Sequence, residues 1–219
     1  LLSKSFFKES LFVLVSVGVC KNSVRAKATI SERKKKRVRP FDRAIFFDLN
    51  KKFKVKNTIV CNSGTSALHL IYSSLGLNKK NGLLTSPITF LSTANAAKMC
   101  NAPVVFADVD DNTGLLTAET IDEALRNSKV KIKVICVVHL GGRVCDMAEI
   151  AKVASKYGCL LVEDSCHAPG AFYYDEADRD LPVGSCMHSV ASAFSFHAIK
   201  HIAMGEGGCI TLSLIHISE

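Results

Sequence analysis

No apolar run in these 219 residues reaches the ~20 that a membrane-crossing helix needs. No C-x-x-C pair occurs among the nine cysteines, which are scattered from Cys20 to Cys209. An odd, dispersed set in a chain of this length reads as reduced cytosolic thiols, mostly core filler, rather than a disulfide framework. Glycine is too sparse for collagen, at 13 residues, and the charged fraction of 22% beside 48% hydrophobic residues fits neither a disordered chain nor a coiled coil. What remains is an ordinary globular composition, enough for one large domain or two small ones.

The formal net charge of +8 is unevenly placed. Residues 1–56 carry a balance of +12 and residues 57–219 a balance of −4. The basic character belongs to the N-terminal quarter, so the overall pI does not argue for nucleic-acid binding by the body. The chain opens on Leu1 rather than Met, and its true start is expected elsewhere. Lys4 and Lys8 precede the apolar stretch from Leu11 to Val19 in the outline of a signal peptide. Val19 before Cys20 is too large for a typical cleavage site, and the stretch is read as a short amphipathic or mistranslated segment. The block from Arg33 to Arg39 repels itself and stays solvated; without interleaved aromatics it is a weak nucleic-acid signal. At the other end, residues 213–219 resemble a translated sequencing adaptor and are set aside.

Between these ends, strand and helix patterns alternate. Apolar residues from Phe41 to Phe53 fall near helical spacing. Short apolar runs at Thr58–Cys61, Gly82–Thr85, Val104–Asp108, Val134–Val138, Cys159–Val162, Ser192–Phe196 and Cys209–Leu212 read as strands. Helices are expected over Thr65–Leu75, Thr89–Cys100, Ala118–Arg126 (capped by Thr117) and Met147–Tyr157, the last ending at Gly158. The alternation predicts an α/β fold, a mostly parallel sheet with helices on both faces. Ligands in such sheets bind at the carboxyl ends of strands, which directs attention to 62–66, 86–90, 139–142 and 164–167.

Those strand ends carry chemistry. Asn62-Ser63-Gly64-Thr65-Ser66 joins a strand to a helix start; Gly64 permits a sharp turn, and the Thr65 and Ser66 amides suit an anion such as phosphate. An ordinary cap is written in the same letters. Asp164 follows a buried strand, where a carboxylate either holds a cationic ring nitrogen or satisfies loop amides. Adjacent Cys166 and His167 are poorly placed to form a thiol protease pair, and no second Cys/His pair has zinc-ligand spacing. Lys200 is the only Lys or Arg after Arg179 and stands before Gly205-Glu206-Gly207-Gly208, where a buried lysine becomes a nucleophile toward an aldehyde.

The runs Ser63–Leu68 (SGTSAL), Ser86–Ala97 (SPITFLSTANAA), Val137–Met147 (VVHLGGRVCDM), Glu163–Ala171 (EDSCHAPGA) and Ser195–Gly208 (SFHAIKHIAMGEGG) occur in this order. Together they resemble the DegT/DnrJ/EryC1/StrS family of pyridoxal-phosphate (PLP) dependent nucleotide-sugar aminotransferases, from about Phe41 to Thr211. The Phe90 and Lys200 runs look closest to members forming UDP-4-amino-4,6-dideoxy-N-acetyl-altrosamine. The resemblance implies the large domain of a fold type I (aspartate aminotransferase-like) PLP-dependent transferase over residues 41–212, incomplete, with 1–40 unlike the family. It implies PLP as cofactor and no metal. Lys200 would attach the cofactor and shuttle a proton, and Asp164 would pair with the pyridine nitrogen. Phe90 would stack on the ring, His167 would sit near the 3-oxygen, and Thr65, Ser66 and Ser195 would take the phosphate. Lys200 argues against the family's dehydratases, which have His in its place. The expected reaction moves an amino group from an amino acid, glutamate by expectation, to a nucleotide-linked 4-keto-6-deoxy sugar in polysaccharide precursor synthesis. The parent is expected to be a cytoplasmic homodimer with no nucleic-acid or membrane partner. Two alternatives stand beside this reading: an inactive fragment that at most binds PLP or a partner chain, and a protein whose basic arm contacts polyanions.

Overall fold

The computed structural model describes residues 49–173 and 181–213. The apolar run at 11–19, the basic block at 33–39, positions 41–48 of the first expected helix and the tail from 214 lie outside the described residues. Residues 49–53 are helical, as the spacing from Phe41 predicts.

Seven strands form one sheet: β1 (Asn57–Cys61), β2 (Gly82–Thr85), β3 (Val104–Phe106), β4 (Ile132–Val138), β5 (Leu160–Asp164), β6 (Ala191–Ser195) and β7 (Gly208–Leu212). Their spatial order is β1-β7-β6-β5-β4-β2-β3. Only β7 is reversed, pairing antiparallel with both β1 and β6 while the remaining pairs are parallel. The continuous apolar runs are explained by cover on both faces. Side chains alternate across a strand, so Val134 and Cys136 join one buried cluster while Ile135 and Val137 join the other.

Helices α1 (Gly64–Ser74) and α2 (Ser92–Met99) cover the first face, where Ala67, Leu68 and Ile71 share a core with Ala96, Ala193 and Ile210. Helices α3 (Ala118–Asn127) and α4 (Met147–Lys156) cover the second, where Ile121 and Ile150 pack with Leu84, Leu161 and Phe194. Thr117 caps α3 as expected, in a reciprocal box with Thr120. Gly158, at φ +65°, ends α4.

Two expected elements are shorter than their sequence patterns. Edge strand β3 stops at Phe106 because its sole neighbour β2 stops at Thr85, the residue paired with it. Helix α2 starts at Ser92, not Thr89, because the Ser86 hydroxyl accepts the Ile88 amide and bends the chain through Pro87 first. That bend leaves Phe90 outside the helix and 63% exposed. Ser213, placed in the tail on sequence, donates its amide to the Val190 carbonyl at 3.1 Å.

Candidate active site

At the carboxyl end of the sheet lies a cavity of about 280 Å³. Its wall includes Ser63, Gly64 and Thr65 after β1, Thr89 and Phe90 after β2, Asp164, Cys166 and His167 from β5 onward, and Ser195, Lys200 and Glu206 between β6 and β7.

The first side is the start of α1. Ser63 is extended, at φ −165°, and its hydroxyl accepts the Ser66 amide at 3.1 Å. The Ser66 amide is therefore committed to the cap, and Ser66 does not line the cavity. The amides of Gly64 and Thr65, first in the helix, have no intrahelical carbonyl to bond and carry the positive end of the helix dipole. The Thr65 hydroxyl meets that of Ser92 at 2.7 Å, joining the starts of α1 and α2. Gly64 is required for a different reason from the turn expected on sequence, since its φ is not positive. A Cβ there would stand 2.9 Å from Ser195 Cβ and 3.1 Å from Cys166 Sγ. Gly208 makes a similar close approach, because a Cβ would fall 2.5 Å from the Ser63 carbonyl group. Small backbone at both positions brings the helix start against the ends of β6 and β7.

The cavity wall also includes Asp164, the last residue of β5 and only 5% exposed. Its Oδ2 accepts the Thr93 hydroxyl at 2.7 Å and its Oδ1 the Cys166 amide at 3.2 Å. Thr93 is itself fully buried on α2, and its carbonyl accepts the Tyr72 hydroxyl of α1 at 3.2 Å. His167 is half-buried, with Nδ1 accepting the Gly141 amide at 3.4 Å. Burial, then the charge of Lys200, holds its pKa below the usual histidine value, which keeps the ring neutral and able to accept. Burial and the Asp164 charge push the Cys166 thiol well up, so it is no thiolate nucleophile, in keeping with the low weight of a Cys–His pair.

Lys200 lies in the connection between β6 and β7, within a turn whose amide bonds His197 O at 2.9 Å. Among the described residues no carboxylate pairs with its ammonium.

Six of the seven residues singled out on sequence, Thr65, Phe90, Asp164, His167, Ser195 and Lys200, line this one cavity, and Ser66 stands behind it. The 139–142 segment does not line it but supports His167 from the side. Sequence reasoning missed Thr93, which reaches Asp164 across 71 positions, and the buried group around Glu163. Glu163 is fully buried on the face of β5 opposite Asp164. It accepts from His139 Nε2 at 2.8 Å, from the Tyr173 hydroxyl at 2.7 Å and from the Ser189 hydroxyl. The Cys145 amide donates to His139 Nδ1, which leaves that ring's proton on Nε2, toward Glu163. The consecutive acids Glu163-Asp164 were the available signal, since neighbours on a strand face opposite ways.

A family model described as the DegT/DnrJ/EryC1/StrS aminotransferase family matches residues 27–213. The chain is 40% identical over 156 residues to a UDP-4-amino-4,6-dideoxy-N-acetyl-beta-L-altrosamine transaminase of Campylobacter jejuni, covering 71% of this chain and 39% of that protein. It thus spans about two fifths of the length of the curated relatives it matches. Among solved structures, Helicobacter pylori PseC, an aminotransferase involved in the biosynthesis of pseudoaminic acid, is 30% identical with a TM-score of 0.69, covering 77% of this chain and 43% of that one. Spr1654 of Streptococcus pneumoniae in its PMP form is 25% identical with a TM-score of 0.71, covering 80% and 45%.

Proposed function

Because the chain belongs to the DegT/DnrJ/EryC1/StrS aminotransferase family, we propose that its cavity is the cofactor site of a PLP-dependent nucleotide-sugar aminotransferase. The observation that carries this reading is the convergence of Lys200, Asp164, Phe90 and the open α1 amides, from four separate strand ends, on one cavity. The donor set suits a flat, phosphate-bearing pyridine ring: amides and hydroxyls, a buried carboxylate, an exposed aromatic and a lysine that no carboxylate pairs among the described residues. Bound there, PLP would supply the carbonyl that carries the amino group and the electron sink that eases proton loss at carbon.

The residues would divide the work as follows. The Gly64 and Thr65 amides and the Ser195 hydroxyl would hold the phosphate, with the helix dipole behind them. Ser66 would contribute indirectly, by fixing Ser63. Asp164, kept charged-side inward by Thr93, would hold the pyridine nitrogen protonated. Phe90 would cover one ring face, and neutral His167 would stand beside the ring substituents. Nζ of Lys200 would be the covalent attachment point and, once released, would move the proton between substrate carbon and cofactor. The names of the relatives support a nucleotide-linked amino sugar as product and a place in polysaccharide precursor synthesis; a 4-keto-6-deoxy sugar as acceptor and an amino acid such as glutamate as donor are proposed with it. A homodimer is proposed for the full-length protein, and the cytoplasm as its location.

A second reading follows from the length comparison: the 219-residue chain alone binds PLP without turning over. Borohydride reduction of the PLP-loaded protein followed by peptide mapping tests both readings at once. A pyridoxyl adduct on Lys200 supports the site, and an adduct on another lysine overturns it. Amino transfer from glutamate to a 4-keto-hexose nucleotide then separates enzyme from binder.

A further inference from the structure

We propose that His197 is a positioning residue whose imidazole splints the turn that presents Lys200 to the cavity; this rests on the reading of Lys200 as the attachment point. The connection between β6 and β7 is pinned at its neck, where Phe196 N donates to Gly207 O and Met204 N to Phe196 O, both at 2.8 Å. Beyond the neck it has little packing to rely on: Ile199 is 82% exposed, and Ile202 and Met204 are also exposed. The conformation of the turn therefore depends on local hydrogen bonds, and these converge on His197.

Its backbone amide donates to Ser195 Oγ at 3.4 Å, and its carbonyl accepts the Lys200 amide at 2.9 Å. Its Nδ1 accepts the Ile199 amide at 3.4 Å. With Nδ1 accepting, the ring proton is on Nε2, which faces Glu206 Oε1 at 3.6 Å on the far arm of the same connection. One residue thus ties the proposed phosphate hydroxyl, the amide before Lys200, the amide of Lys200 itself and the returning arm. A half-buried lysine on an unsplinted loop would still sample many orientations, whereas a fixed turn keeps its amine near one reacting position.

The test compares His197→Ala, His197→Asn and Glu206→Gln with the unaltered chain. Asparagine retains an oxygen able to accept the amide two residues on, as in an Asx turn, but is too short to meet Glu206. In cofactor-free protein, His197→Ala should speed hydrogen exchange at Ile199 and Lys200 about fivefold, the factor carried by one ordinary hydrogen bond. On mixing with PLP it should slow formation of the reducible adduct by a similar factor while leaving competition by inorganic phosphate within about twofold. His197→Asn should restore the exchange protection, and Glu206→Gln should loosen the returning arm alone. Unchanged exchange and unchanged adduct rate in His197→Ala would overturn the proposal. Mapping of the adduct to a lysine other than Lys200, with exchange still accelerated, would instead defeat the Lys200 assignment and leave the splint standing.

Discussion

Asp164 and His167 stand three residues apart on one strand end, the first buried and the second half-buried. Asp164 accepts two hydrogen bonds, from Thr93 and the Cys166 amide. Asp164→Asn preserves shape and removes the charge. In the full-length protein it should leave PLP binding within a few-fold and cut turnover by about a hundredfold or more, the scale on which fixed charges act on developing charge. Steady-state kinetics beside a cofactor titration measure both, and a rate within a few-fold of normal would deny Asp164 the role. His167 has a lowered pKa in the fold, so the unfolded chain takes up its proton first as pH falls below the usual 6.5. Stability should therefore be lost as pH falls through that region and level off below the folded pKa. Melting temperatures at about pH 7.5 and about pH 5.5 should fall further for the unaltered chain than for His167→Gln, which has no such proton to take up. Equal losses would contradict this. Lys200 was legible in the sequence because it is the only Lys or Arg after Arg179, and Asp164 because it closes a buried apolar strand. Thr93 was not, because its partner lies 71 positions away and nothing local distinguishes it from a packing threonine.

Among the elements, β5 is the one that carries chemistry on both faces. Its Asp164 faces the cavity while its Glu163 gathers His139 from the end of β4 and Tyr173 and Ser189 from the crossover to β6. Glu163→Ala would leave those donors buried without an acceptor, at a cost of about 1–3 kcal/mol for each group left unsatisfied. Glu163→Gln keeps one acceptor oxygen and should cost less, about 1–3 kcal/mol. Urea unfolding gives both values, and a loss under about 0.5 kcal/mol for Glu163→Ala would mean the group contributes little beyond an ordinary surface site. The parallel strands were readable from the sequence because Val134–Val138 and its neighbours are apolar on successive residues. The reversed direction of β7 was not, because a five-residue strand looks the same either way and its partners are set by distant pairing. The Gly64 turn was misattributed for a related reason: the contact that demands glycine is with Ser195, remote in sequence.

Among the described residues, Phe90 and Ile199 of the cavity wall are exposed, and so are Ile88, Leu91, Ile202 and Met204 close to them in the chain. Exposed apolar side chains of this kind beside a site mark a surface that is covered in use. The purified 219-residue chain should self-associate, and should give no measurable amino transfer, because the exposed wall also leaves water free to enter. Sedimentation velocity and a glutamate-dependent assay check this, and a monodisperse monomer with steady turnover would show it wrong. The sheet order has one more consequence. Among the described residues strand β1 pairs only with β7, which lies about 150 residues further along the chain. Such a long closure is slow to find. During synthesis β1 thus waits for about 150 residues to emerge before it meets β7, and Gly208 comes against Ser63 only when that strand arrives. Lys200 leaves the ribosome before that moment, so the proposed anchoring amine is made first and the proposed anion cradle is finished afterwards. A ligand met early in the chain's life finds a hook without a seat, and capture becomes a signal that translation has passed β7.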